Sequence, residues 1–305
     1  SKSAEFKKGE SKIIMKKTKI YSKYFVLPGL VLYIVFFVVP SFIGIYFSFT
    51  DWNRYSSEVK FVGLENYRAI FASGSNYLSY VRNTLNFTII SNIVKIIPAL
   101  FLALLLSSNI RGQNVHRAIL FFPALLPYLV IGLIFRSMLH PQTGFVNNML
   151  RTLGLDFMAQ RWLIDPKWVW PSIYAVDAWR GIGYVMTIFI AGLSSIPRHY
   201  YEAADIDGAN FFQKLIHITL PMLKPAITIN LIFGITYGLK VFDIIFVLTN
   251  GGPGRMTEVI NTAIFKEFAL GTYGLGTALS TLLFVFMVVV SVLLLKMMSK
   301  RELEL

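Results

Sequence analysis

The sequence has 305 residues, 55% of them hydrophobic and only 15% charged, with a formal net charge of +13 and a mean hydropathy of +0.60. A soluble domain carries about a quarter of its residues as charges to face water, so that class is excluded. There is no cysteine, which excludes disulfides, thiolate metal sites and cysteine nucleophiles.

Apolar runs of about 18 residues or more recur along the chain, the length a helix needs to cross about 30 Å of hydrocarbon. The predicted class is an all-α membrane protein with six transmembrane helices. The segment before the first span, residues 1–23, holds eight lysines and reads as a cytoplasmic basic tail against anionic lipid. The apolar stretch that follows it is too long for a cleavable signal peptide and lacks a small-residue cleavage site.

The spans are predicted at about 24–49, 84–106, 118–138, 169–195, 225–249 and 275–298, followed by a short tail at 299–305. Lys95 and Pro98 interrupt the second, Pro123 and Pro127 the third, Asp177 and Arg180 the fourth. Such interruptions are tolerated against other helices or a wet cavity, not in lipid. With a cytoplasmic N-terminus, sixteen Lys and Arg fall on inner segments and nine on outer loops, so both termini are expected inside. That distribution accounts for the net charge without nucleic acid. Two outer segments, 61–71 and 144–150, read as short interfacial helices. The four histidines (His116, His140, His199 and His217) show no metal-ligand spacing. Gly251-Gly252-Pro253-Gly254 lacks the lysine of a phosphate-binding loop and reads as a turn, and no other stretch could cradle ATP.

The inner loop 197–224 between spans four and five is the most informative stretch. Pro197 stands where a helix can begin, with Ser194 or Ser195 as caps. Gly208 can take the left-handed conformation that ends one helix and turns the chain, and a second short helix from Ala209 is expected to stop at Pro221. Ala203, Ala204, Ile206, Phe211, Phe212 and Leu215 alternate with charges. That pattern suits a knob docking into a partner's groove, and equally an amphipathic loop resting on the bilayer.

The run Glu202-Ala203-Ala204, then Asp207-Gly208-Ala209, then Ile218-x-Leu220-Pro221 resembles the EAA signature of ATP-binding-cassette importer permeases. Leu215 stands where that family usually has Phe. The resemblance implies the type I importer permease fold. It makes this loop a coupling helix seated in a partner ATPase, with Glu202 supplying a charged contact and Gly208 the bend. The stretches 61–67, 123–127 and 248–253 are similar to the maltose, glycerol-phosphate and multiple-sugar branch, and the last of them is more similar to the first, maltose-F-like permease of its pairs than to the second. Implied partners are a second permease, two ATPase subunits, an extracytoplasmic solute-binding protein, the sugar and membrane lipid. No cofactor is implied in this chain, ATP-Mg being held by the partners, and the location is the bacterial cytoplasmic membrane. The N-terminal spans and large outer domain of the maltose protein have no match, and nothing attached to them is carried over.

Spans four and five hold most of the intramembrane polar residues. Phe233, Tyr237, Lys240 and Ile244 are predicted to share one helix face. Aromatic rings beside polar groups suit sugars, whose C–H faces pack on rings while their hydroxyls need hydrogen bonds. Asp177–Arg180 and Lys240–Asp243 are alternatively i, i+3 ion pairs that only hold the helices. The resemblance implies a sugar site from a Trp-x-Gly-x-x-Tyr cluster, matched by Trp179, Gly181 and Tyr184, with Tyr237 at the span-five aromatic. Asp177, Arg180, Gly238 and Val241 depart from that site, which argues against maltose. The substrate pathway is thus expected along Asp177, Trp179, Arg180, Gly181, Tyr184, Tyr237, Lys240 and Val241. Arg180 and Lys240 raise an acidic, uronate-containing oligosaccharide; neutral oligosaccharides and polyol phosphates stay open. An ion-coupled secondary transporter would need a coupling-ion site and an internal repeat, neither of which is present in the sequence. A membrane enzyme would need converging carboxylates or histidines.

Overall fold

The computed structural model describes residues 23–55, 58–108 and 111–302. The predicted basic tail lies outside the described residues except for Lys23, and the C-terminal tail is described only to Glu302. Among the described residues the protein is helical, with one isolated bridge between Thr50 and Phe61. The chain divides into two units, Ser1–Tyr46 and Phe47–Leu305.

The first unit holds nearly all of α1, Tyr24–Phe47. Its apolar side chains are exposed, as suits a helix in hydrocarbon. A π-turn over Ile34–Val38 sits just before Pro40. A proline ring clashes with the carbonyl four residues back and offers no N–H, and the wider turn absorbs both defects.

The second unit is built around three helices, α3 (Tyr77–Ser107), α7 (Val169–Ser194) and α10 (Lys224–Leu239), which pack on one another. Short helix α2 (Glu65–Phe71) precedes α3, and α6 (Phe145–Thr152) lies between α3 and α7 in sequence. The C-terminal pair is α12 (Ile260–Leu270) and α13 (Tyr273–Glu302). In α3 the buried face is the polar one. Thr84, Thr88, Ser91 and Lys95 recur at three- and four-residue steps and are buried, while Ile89, Ile93, Ile97 and Phe101 are exposed. A helix with lipid outside and partners inside hides its polar groups where other helices can satisfy them.

Small residues set the distance between these helices. A Cβ on Gly238 of α10 would lie 2.7 Å from Thr88 Cα, and one on Gly183 of α7 only 2.0 Å from the Leu120 carbonyl oxygen. Buried apolar clusters close the contacts at two levels. One joins Phe87, Ile173, Val176 and Ile244; the other joins Ala99, Met186, Phe189 and Leu223. Gly183→Ala is expected to destabilise the protein by about 1–3 kcal/mol, because its neighbour is backbone that cannot rotate aside. A thermal melt in detergent checks this, and a melt unchanged from the unmodified protein would refute the close-approach argument.

Three helical runs differ from the sequence expectation. The run expected as one span over 118–138 is two helices, α4 (Gln113–Leu125) and α5 (Tyr128–Met138), bent by 95°. Leu126 precedes Pro127, which disfavours helical backbone there, and it is extended at ψ 138°. The fifth stretch, expected over 225–249, ends at Leu239. Lys240–Phe242 breaks it before α11, Asp243–Leu248, so Phe233, Tyr237, Lys240 and Ile244 do not share a helix. Pro221 does not stop the helix before it. Helix α9, Phe211–Met222, runs through Pro221 after a π-turn over Leu215–Thr219, and meets α10 at 64°.

Candidate functional site

The loop 197–224 folds from local chemistry. Helix α8, His199–Ile206, ends at Asp207, and Gly208 follows at φ +75°. Ala209 N–H donates to the Ala204 carbonyl (2.9 Å) and Gly208 N–H to the Asp205 carbonyl (3.1 Å), the paired bonds of a Schellman terminus. Helix α9 opens on a capping box, in which Asn210 accepts from Gln213 N–H while Gln213 Oε1 accepts from Asn210 N–H. Lys214 Nζ bridges back to Asp205 at 2.6 Å, and the Tyr201 hydroxyl meets Thr219 Oγ1 at 3.0 Å. The knob so formed exposes Ile206 (88%), Phe212 (69%) and Phe211 (60%). Glu202 stands exposed in the first turn of α8, Ala203 beside it, while Ala204 is buried and Leu215 lies half-buried in the π-turn.

A second cluster lies where α3, α7 and α10 meet. Asp177 is 1% exposed and its carboxylate is fully engaged. Oδ2 accepts from Ser91 Oγ (2.5 Å) and pairs with Lys95 Nζ (3.0 Å); Oδ1 accepts from the Tyr237 hydroxyl (2.8 Å). Lys95 Nζ also sits 4.4 Å from the Tyr237 ring centroid. Tyr237 stacks on Tyr128 at 5.8 Å with planes 13° apart, and Arg180 lies over the other ring, 3.6 Å from the Tyr128 centroid. Arg180 then donates to the carbonyls of Leu126 (3.2 Å) and Ala124 (3.3 Å), at the break between α4 and α5. A chain of contacts therefore runs from the buried ion pair to the broken helix. A bent helix leaves carbonyls without intrahelical donors, and Arg180 supplies them.

The expected i, i+3 pairing is overturned. Asp177 pairs with Lys95 of another helix, not with Arg180, and the ion pairs among the described residues do not include Lys240–Asp243. Val241 is buried in the core and Asp177 is enclosed, so neither lines a surface. A Cβ on Gly181 would fall 2.6 Å from Lys95 Cδ, so this glycine makes room for the lysine stem. Trp179 and Tyr184 are nearly half exposed, touching Phe135 (5.2 Å) and Phe233 (6.4 Å) respectively. Lys240 lines a separate groove with Phe242, Asn261, Phe265 and Phe268, and the structure does not join it to Arg180. Lys95 and Ser91 escaped the sequence reading as site residues. The available signal was a charge inside an apolar run, which demands a partner.

Gly251–Gly254 forms a turn, held from beneath by buried Glu258. Lys266 Nζ bonds Glu258 Oε2 (2.8 Å) and the Asn250 carbonyl (3.0 Å), and Asn83 donates to the carbonyls of Met256 and Glu258. Among the described residues no group of His, Asp and Glu could hold a metal.

Long apolar helices, broken helices and an enclosed polar seam define a helical membrane protein. Residues 95–302 match the family described as binding-protein-dependent transport system inner membrane component, and the chain belongs to that family. The trehalose/maltose transport system permease protein MalF of Thermococcus litoralis is 35% identical over 272 residues, which span 89% of this chain and 91% of that protein. A solved bacterial ABC transporter involved in import of the acidic polysaccharide alginate is similar at TM-score 0.80 and 25% identity, over 91% of this chain and 94% of that one. The bacterial alginate transporter in complex with an alginate pentasaccharide-bound periplasmic protein is similar at TM-score 0.76 and 26% identity, over 88% and 91%.

Proposed function

We propose that this chain is the first permease of a heterodimeric importer, passing an oligosaccharide released by the solute-binding protein. In this reading loop 197–224 receives the motion of an ATPase subunit, and Trp179, Tyr184 and Tyr237 belong to the sugar path. The observation that carries it is the knob. Ile206, Phe211 and Phe212 are held outward by a Schellman terminus and a capping box, and a rigid loop with large apolar side chains in water needs a partner groove. Glu202, Ala203, Asp207, Gly208, Ala209 and Leu215 form or flank its surface.

The similarity to a trehalose/maltose permease and to an alginate importer supports an oligosaccharide and leaves its charge to experiment. Arg180 is accounted for by the helix break, so an acidic cargo would be read by exposed Lys240. The test is uptake by the full complex in proteoliposomes, with maltotriose and trimannuronate as probes. Lys240→Ala is expected to lower trimannuronate uptake about 10-fold, the worth of one charged hydrogen bond, and to spare maltotriose. Arg180→Ala is expected to lower both. Loss of both sugars in Lys240→Ala argues against charge reading, and transport by this chain without an ATPase subunit sinks the importer reading.

A further inference from the structure

One cavity stands apart from the charged cluster and shares only Trp179 with the sugar path. It measures about 360 Å³ and lies between α5, α6 and the first three turns of α7, within the range of about 300–1,000 Å³ of small-molecule sites. Trp168, Ser172, Ala175 and Trp179 line it at helical steps, so it follows one face of α7 for about 16 Å at 1.5 Å per residue, starting from the end expected outside. Trp162 closes it, edge-on to Trp168 at 5.3 Å and 73°.

We propose that this cavity is an outer sugar-binding station, where a short oligosaccharide segment stacks before reaching Trp179. The inference rests on the importer reading. Its first support is preorganisation. Asn147, 1% exposed, accepts from Trp162 Nε1 (2.7 Å) and from Gln160 N–H (3.3 Å), and donates to the carbonyls of Pro141 (3.0 Å) and Gln160 (2.8 Å). A tryptophan anchoring a membrane interface turns its N–H toward headgroups; this one spends it inside the protein and offers only its ring. The second support is Ser172, which lines the cavity and is 7% exposed, with an Oγ that has no hydrogen-bond partner. A buried hydroxyl without a partner is costly, and this one belongs to a residue on the cavity wall. Indole faces together with a hydroxyl in want of a partner suit a sugar ring, whose C–H face packs on rings and on the apolar side chains of Phe135, Leu139 and Val146 that also line the cavity.

The full complex in proteoliposomes, energised with ATP and supplied with saturating sugar-loaded binding protein, separates the outcomes. Trp168→Ala is expected to cut maximal uptake of maltotriose or trimannuronate by about 5- to 10-fold, the scale of one aromatic contact, with Trp168→Phe recovering most of it and basal ATP hydrolysis unchanged. Ser172→Ala is the sharper variant. A merely unpartnered hydroxyl makes it neutral or stabilising, whereas the station requires slower uptake. Uptake unaffected by either Trp168→Ala or Ser172→Ala overturns the station and leaves the importer reading intact. Quenching of these indoles by brominated acyl chains, with no protection by either sugar, also overturns it, because lipid then fills the cavity. No sugar uptake by the unmodified complex overturns the importer reading itself.

Discussion

Asp177→Ala is expected to destabilise the protein by about 3–5 kcal/mol, enough to reduce sharply the amount recovered in folded form. Lys95 would be left at 7% side-chain exposure without its carboxylate partner, its ammonium 4.4 Å from the Tyr237 ring centroid. Removing one partner of a buried ion pair leaves an uncompensated charge, and that is where costs of this size arise. The hydrogen bonds alone cannot supply them. Interhelical hydrogen bonds in membrane proteins average about 0.6 kcal/mol, so Ser91→Ala, which removes the 2.5 Å bond to Oδ2, should be mild. The double variant Lys95→Met/Asp177→Leu is expected to regain most of the lost stability, since apolar residues of similar volume commonly replace a buried pair without loss. Uptake should stay impaired even so, because the Tyr237 hydroxyl loses its acceptor and the Tyr128–Tyr237 stack its anchor. Thermal melts of the unmodified protein, Lys95→Met, Asp177→Leu and the double variant, read as a double-mutant cycle, measure the coupling. A coupling within about 0.5 kcal/mol of zero would mean the pair is incidental.

The contrast between the two sites shows what a sequence can carry. The end of α8 was legible because its causes are local. A glycine free to take φ +75° and a helix-forming run before it lie within a few residues, and they specify the turn wherever the loop sits. The long apolar segments were legible for a similar reason, since hydrocarbon imposes a length on any helix crossing it. The break at Leu126 was half legible. Pro123 and Pro127 were visible, yet the apolar length of 118–138 argued for one span, and only the structure shows extended backbone before Pro127. The ion pair was not legible. Asp177 has a cation three residues away, and spacing on one helix favoured Arg180. Its actual partners lie on α3 and α10, Ser91 being 86 and Tyr237 60 residues distant in sequence, and nothing in these segments encodes which faces meet. The role of Glu258, 1% exposed and supporting the turn above it, left no mark in the sequence for the same reason. Position along one helix is written in sequence; choice of neighbour is a property of packing.

Gly208→Pro is expected to reduce uptake to background while leaving the membrane domain folded. A Cβ at this position would meet nothing within 4 Å, so steric room is not the constraint. The constraint is φ +75°, which proline, locked near −65°, cannot adopt. Proline also deletes the N–H that bonds the Asp205 carbonyl at 3.1 Å. Without the left-handed turn α9 leaves α8 in a new direction, and Phe211 and Phe212 no longer stand beside Ile206. Motion of an ATPase subunit would then reach a loop of the wrong shape. Gly208→Ala keeps the bond and costs about 1–2 kcal/mol of backbone strain, so uptake should fall only several-fold. Gly208→Asn should lie above Gly208→Ala, because asparagine tolerates this conformation better than other side chains. The order Gly, Asn, Ala, Pro is the signature of a requirement on φ and not on size. It is read by uptake in proteoliposomes, by retention of the ATPase subunit on purification, and by melting of the membrane domain as the control for folding. Coupled uptake by Gly208→Pro, or an asparagine variant no better than the alanine one, would remove the knob's shape from the mechanism and return the loop to the bilayer surface.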